Sequence, residues 1–135
     1  MITALDSSVI WAIVKPEPGH DLVMQTLISA ASEGPVVINP IAFAELAPSS
    51  PDASSLQDFL GRLDILFDPI SAEAAHLAGS TFKLYRQAGG PRQQILPDFI
   101  IAAHAKIQAN RLAALDKGYF RKWFPDLPIL TPPMK

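Results

Sequence analysis

"ILPDFIIAAHAKIQANRLAALD", Ile95 to Asp116, decides how this chain folds. Its first half places apolar residues at helical spacing behind a proline suited to a first helical turn, and predicts a helix from Pro97 to about Ala109. Its second half, "RLAAL", is a short apolar run and reads as a buried strand ending at Asp116. A helix that hands over directly to a buried strand is one unit of an α/β fold. The stretch also carries an acid at the mouth of an oily helix, Asp98. Burying a carboxylate costs several kcal/mol unless something pairs with it, so that position needs a reason.

The same alternation extends in both directions. Upstream, Ile2–Leu5 reads as a strand ending at Asp6, after which Ser7 or Ser8 caps a short helix through Val9, Ile10, Trp11 and Ile13. "KPEPG" breaks it, and a second helix fits His20–Ala31. Val36–Asn39 is a second strand, and Pro40 opens a helix over Ile41–Leu46. "APSSPDASS" reads as a loop before a helix from Leu56 to Leu63. "DILFDP" is a third strand, and Ser71 opens a longer helix through Leu77, Ala78, Phe82 and Tyr85. "QAGGPRQQ" ends that helix as a loop. Downstream of Asp116, "GYFRKWF" is a helical turn and "LPILTP" a fifth strand or extended edge. Strands alternating with helices predict a three-layer α/β/α sandwich around a mostly parallel sheet of four to five strands. No linker divides the chain, so residues 1–135 are expected to form one domain.

Composition narrows the class. Of 135 residues, 49% are hydrophobic and 18% charged, which suits a packed globule. There is no cysteine, which excludes a disulfide framework, a thiolate metal site and a cysteine nucleophile. No apolar run approaches the roughly 20 residues that span a bilayer, and the N-terminus lacks a basic leader, so the expected setting is the cytoplasm. Charge is unevenly spread. Residues 1–82 hold ten acids and two bases, whereas residues 83–122 hold eight bases and two acids. The basic segment suits either solvated helix faces or contact with a polyanion.

The acids fall where a sheet of this kind binds ligands. Asp6 and Asp116 end the first and fourth expected strands, Asp98 stands in the first turn of the helix before the fourth, and Glu45 follows the second. Ligands of open α/β sheets bind beyond the carboxyl ends of the strands. Four carboxylates gathered there must take up protons, spread apart or bind cations. Singly, each has an ordinary explanation: Asp98 as a helix-start charge, Asp6 and Asp116 as turn residues, Glu45 as a solvated residue. Together, an all-oxygen donor set points to a hard ion such as Mg²⁺ or Mn²⁺.

The order "LDSSVI", "NPIAFAEL", "LPDFIIAAHA", "LDKGYFRKWFPDLPIL", from Asp6 to about Pro132, resembles the PIN-domain nucleases and, among them, the VapC-type toxins. The resemblance implies an endoribonuclease that depends on Mg²⁺ or Mn²⁺ and cuts RNA phosphodiester bonds. It also implies neutralisation by a cognate VapB-type antitoxin, and a homodimer. Carried over by position, the catalytic, metal-holding acids are Asp6, Glu45, Asp98 and Asp116, with Ser8 in support. Ala114 departs from the pattern, because family members usually carry Thr or Ser two residues before the last acid. A non-catalytic PIN-like domain that binds RNA or protein is the alternative.

Other residues are weighed on their own. Arg86, Arg92 and Lys117 are candidate contacts to RNA phosphates. His104, six residues past Asp98, points to another face and is expected to be a packed core histidine. His20 and His76 are expected on helix surfaces. Trp123, Phe124 and Tyr119 suit packing under the sheet edge better than base stacking. No G-x-x-x-x-G-K, G-x-G-x-x-G or G-x-S-x-G pattern occurs, which argues against a phosphate-cradling loop or a hydrolase elbow. A phosphorylated receiver domain would want adjacent acids after the first strand, where Ser7 and Ser8 stand.

Overall fold

A computed structural model describes residues 1–15, 18–90, 95–115 and 118–132. Among the described residues, thirteen elements follow one another. They are β1 (Thr3–Leu5), α1 (Ser7–Val14), α2 (His20–Glu33), β2 (Val36–Ile38), α3 (Pro40–Leu46), a 3₁₀ turn (Ala47–Ser49), α4 (Ala53–Arg62), β3 (Ile65–Phe67), α5 (Ala72–Gln87), α6 (Leu96–Gln108), β4 (Arg111–Ala113), α7 (Gly118–Trp123) and β5 (Ile129–Leu130). The strands form one sheet in the order β3-β2-β1-β4-β5, and every pairing is parallel. Parallel neighbours need a crossover, and helices supply each one. All three residues of β1 and of β2 are buried. Successive strand side chains point to opposite faces, so helices cover both faces and the fold is three-layered.

Short polar side chains set the element starts. Asn39, 1% exposed, accepts from the amides of Ile41 and Ala42 at 2.8 and 3.0 Å, with Pro40 leading the helix. Ser71 accepts from Ala74 N–H. At Gly34 an added Cβ would lie 2.2 Å from the carbonyl oxygen of Met1, so only glycine lets the two backbones pass.

Several expectations need correction. Asp6, not Ser7 or Ser8, caps α1, accepting from Ser8 N–H. The fourth helix starts at Ala53 rather than Leu56, because Asp52 caps it by accepting from Ser55 N–H. The loop expected before it contains a 3₁₀ turn. Strand β4 ends at Ala113, short of Asp116. His20 is half-buried rather than a surface residue, with Nδ1 enclosed and unpartnered among the described residues. The remaining elements lie within a residue or two of expectation. Among the described residues no helix is long and apolar enough to cross a membrane.

His104 is fully buried, and its Nε2 lies 2.7 Å from Asp68 Oδ2. Gln108, one turn on, donates to the same oxygen and to the Pro69 carbonyl, and accepts from Ser71 N–H. These bonds pin α6 to the β3–α5 connection. The other end of α6 is held by rings: Phe99 lies 5.2 Å from both Phe82 and Tyr85 and 6.0 Å from Phe124, while Tyr85 meets Trp123 at 5.4 Å. Trp123 and Phe124 therefore pack, as their sequence context suggests.

Candidate active site

The sheet reverses its winding between β1 and β4. The chain steps one way through β1, β2 and β3, then returns to lay β4 on the opposite flank of β1. Such a switch point leaves a crevice beyond the carboxyl ends of its two strands. Asp6 directly follows β1 at that crevice, and its N–H donates to the Ala113 carbonyl at the end of β4.

Local chemistry holds Asp6 in place. Its Oδ2 accepts from both the amide and the hydroxyl of Ser8, and the Ser8 Oγ in turn accepts from Leu115 N–H at 3.2 Å. Ser8 thus ties the first acid to the chain leaving β4. The backbone two residues before that amide belongs to Ala113, and Ala114 between them is fully buried. Ala114 offers no hydroxyl there, but the chain leaving β4 is still anchored to Asp6 through Ser8.

Asp98 answers the question raised by its position. It is half-buried, and its Oδ2 accepts the Ile95 N–H at 3.1 Å, reaching back over the first turn of α6. That bond is the structural role. The electrostatics add another. Loss of water around the carboxyl raises the Asp98 pKa, the Ile95 N–H opposes the rise, and the charge of Asp6 adds to it.

Glu45 stands on α3, whose Ala42 and Leu46 face the core. Its own side chain is exposed at the rim. Its pKa is raised first by loss of water, with the Ser7 hydroxyl opposing and the charges of Asp6 and Asp98 adding to the rise. Asp6, Glu45 and Asp98 therefore feel one another although they come from three separate segments. They do not form a closed cage: among the described residues no group of three or more His, Cys, Asp or Glu is close enough to hold a metal ion unaided. Asp116, Lys117 and Arg92, and the ring of Tyr119, lie outside the described residues.

The model of the PIN domain family matches residues 3–123. The chain belongs to the PIN domain family. No curated protein matches this PIN domain by sequence. Solved structures match it in fold. VapBC2 from Rickettsia felis, bound to a promoter DNA fragment, contains a chain with 22% identity and a TM-score of 0.75, covering 98% of this chain and 99% of that one. FitAcB from Neisseria gonorrhoeae matches at 25% identity and a TM-score of 0.69, covering 98% of each chain. A toxin–antitoxin complex from Klebsiella pneumoniae matches at 18% and 0.70, covering 98% and 99%.

Of the candidate RNA contacts, Arg86 is exposed in the last turn of α5, 5.8 Å from the Phe82 ring. Phe82 packs on Phe99, the residue after Asp98, so this cation stands at the acid-bearing end of α6. Two further cations escaped the sequence reading. Arg121 and Lys122 are exposed on α7, which the Trp123–Tyr85 contact docks against the same end of α5. The earlier signal for them was only the basic bias of residues 83–122.

Proposed function

We propose that this PIN domain is an endoribonuclease dependent on Mg²⁺ or Mn²⁺. We further propose that it is the toxin of a toxin–antitoxin pair, neutralised by a cognate VapB-type antitoxin and working as a homodimer in the cytoplasm. What carries the reading is that Asp6, Glu45 and Asp98, from three separate segments, stand near enough beside the β1–β4 switch point for their negative charges to oppose one another. Like charges brought together at a ligand crevice favour a divalent cation, and carboxylate oxygens suit a hard one. Asp6, Glu45, Asp98 and Asp116 would hold it. When bound, such an ion supplies Lewis-acid polarisation of the scissile phosphate and of the attacking water.

The chain's own residues do the rest. Ser8 fixes the Asp6 carboxylate, and the Ile95 amide fixes that of Asp98, so neither must be ordered when substrate arrives. Arg86, Arg92 and Lys117, joined by Arg121 and Lys122, bind RNA phosphates and draw a polyanion toward an otherwise repelling acidic lip. The antitoxin partner is supported by the solved relatives, one of which is itself a toxin–antitoxin complex. The second reading, a PIN-like domain that binds RNA or protein without cutting, draws on the buried methyl group of Ala114.

The test is to incubate cellular RNA with the chain in Mg²⁺ and sequence the new ends, beside Asp98→Asn and a chelator control. Cleavage confined to the unsubstituted chain with Mg²⁺ is the expected result. Equal cleavage by Asp98→Asn would refute the site. RNA retained but never cut would favour the second reading.

A further inference from the structure

The acid lip contains one hydroxyl that the nuclease reading leaves without a task. Ser7 is the first residue of α1, directly after Asp6. It does not cap the helix, because Asp6 does. Its Oγ instead donates to Glu45 Oε1 at 3.0 Å, across 38 residues of sequence. The two neighbouring serines thus divide the work: Ser8 fastens the acid of its own segment, and Ser7 reaches to the acid of another.

Glu45 needs such a partner more than the other acids do. Asp6 and Asp98 have short side chains, each held by a backbone amide within its own turn. Glu45 has one more rotatable bond, sits exposed on α3, and is repelled by both aspartates. With nothing to hold it, both entropy and charge would swing its carboxylate outward into water. The backbone cannot prevent this, because the Asn39 cap fixes only where α3 begins.

We propose that Ser7 is a positioning residue that holds the Glu45 carboxylate on the side of Asp6 and Asp98, so that less of its freedom is lost when a divalent cation draws the acids together. The inference rests on the metal-nuclease reading above. Ser7 touches neither metal nor RNA in this scheme and acts only through Glu45.

The experiment measures Mn²⁺ binding to the full chain without RNA, by the loss of the free-ion paramagnetic resonance signal. Removing a residue that orients a metal ligand costs about tenfold in affinity, and that is the loss expected for Ser7→Ala. Ser7→Thr keeps a hydroxyl at the same place and restores affinity to within about twofold, whereas Ser7→Val, with the shape of Thr and no hydroxyl, behaves as Ser7→Ala. In a Glu45→Ala background, Ser7→Ala has no further effect. Wild-type affinity in both Ser7→Ala and Ser7→Val would overturn the proposal, as would an undiminished loss in the Glu45→Ala background. Binding that survives these changes but fails in Asp6→Asn removes this inference and leaves the nuclease reading standing. No Mn²⁺ binding by the unsubstituted chain removes both.

Discussion

Asp68 and Asp98 both serve helix α6, and their surroundings are opposite. Asp68 accepts from the His104 ring and the Gln108 amide, so its charge is met by donors from the helix it holds. Asp98 accepts an amide from its own first turn, and it faces the charge of Asp6 while losing water. The first arrangement is what a carboxylate needs to serve as a fastening. The second sets Asp98 against the charge of Asp6, with Glu45 facing both, and loss of water and like charge raise the pKa of Asp98 and of Glu45. In the nuclease proposed above, that negative charge is what a divalent cation would meet.

The contrast can be broken in several places. The largest effect is expected on cleavage. Asp98→Asn keeps the acceptor for Ile95 N–H but removes the charge, so the fold persists while RNA cleavage falls about 10³-fold, ~4 kcal/mol of transition-state stabilisation. Single-turnover assays in metal-defined buffer decide it, and unchanged rates would make Asp98 a helix-start residue only. His104→Ala should do the reverse. It leaves a cavity and strips the buried donor from Asp68, costing about 2–4 kcal/mol in urea unfolding with Mn²⁺ affinity of the folded chain unchanged. Loss of Mn²⁺ binding alongside an intact fold would show that the two regions are not separate.

Asn39→Ala lies between these cases, since the cap is structural yet aims the helix that bears Glu45. A loss of about 1–2 kcal/mol is expected, read from the shift of the denaturant midpoint. The smallest effect concerns pH. The folded pKa values of Asp98 and Glu45 are raised, so the native state binds protons more readily than the unfolded chain. Their contribution to stability is therefore favourable below the ordinary carboxylate range and lost as pH rises through the folded values. In chelator at neutral pH, Asp98→Asn with Glu45→Gln should be more stable than the parent by about 0.5 kcal/mol, since solvent screens groups this exposed. That advantage should vanish on acidification and shrink when Mn²⁺ is added to the parent. A constant advantage at every pH would show that charge is not its source.

Much of this was legible in the chain. Helix α6 and strand β4 follow from apolar spacing alone, and Pro40 and Ser71 mark helix starts because their chemistry is local. The places where the reading failed share one cause. Asp6, Ser7 and Ser8 can each cap a helix, and which one does so depends on where β1 releases the backbone. Asp52 competes with Ser54 and Ser55 in the same way, which moved the start of α4. The placement of His104 in the core was readable from its spacing from Asp98 along the helix, but its partner Asp68, 36 residues earlier, was not.

The sequence by itself determined the alternation of strands and helices, the acids at their junctions and the absence of thiol chemistry, because these depend on residue type and on spacing within a turn or two. Only the tertiary structure decided that the sheet switches direction between β1 and β4, that Ser8 joins Asp6 to Leu115, and that Ser7 reaches Glu45. Those facts depend on which distant segments meet, and a hydrogen bond across dozens of residues leaves no periodic trace in the chain.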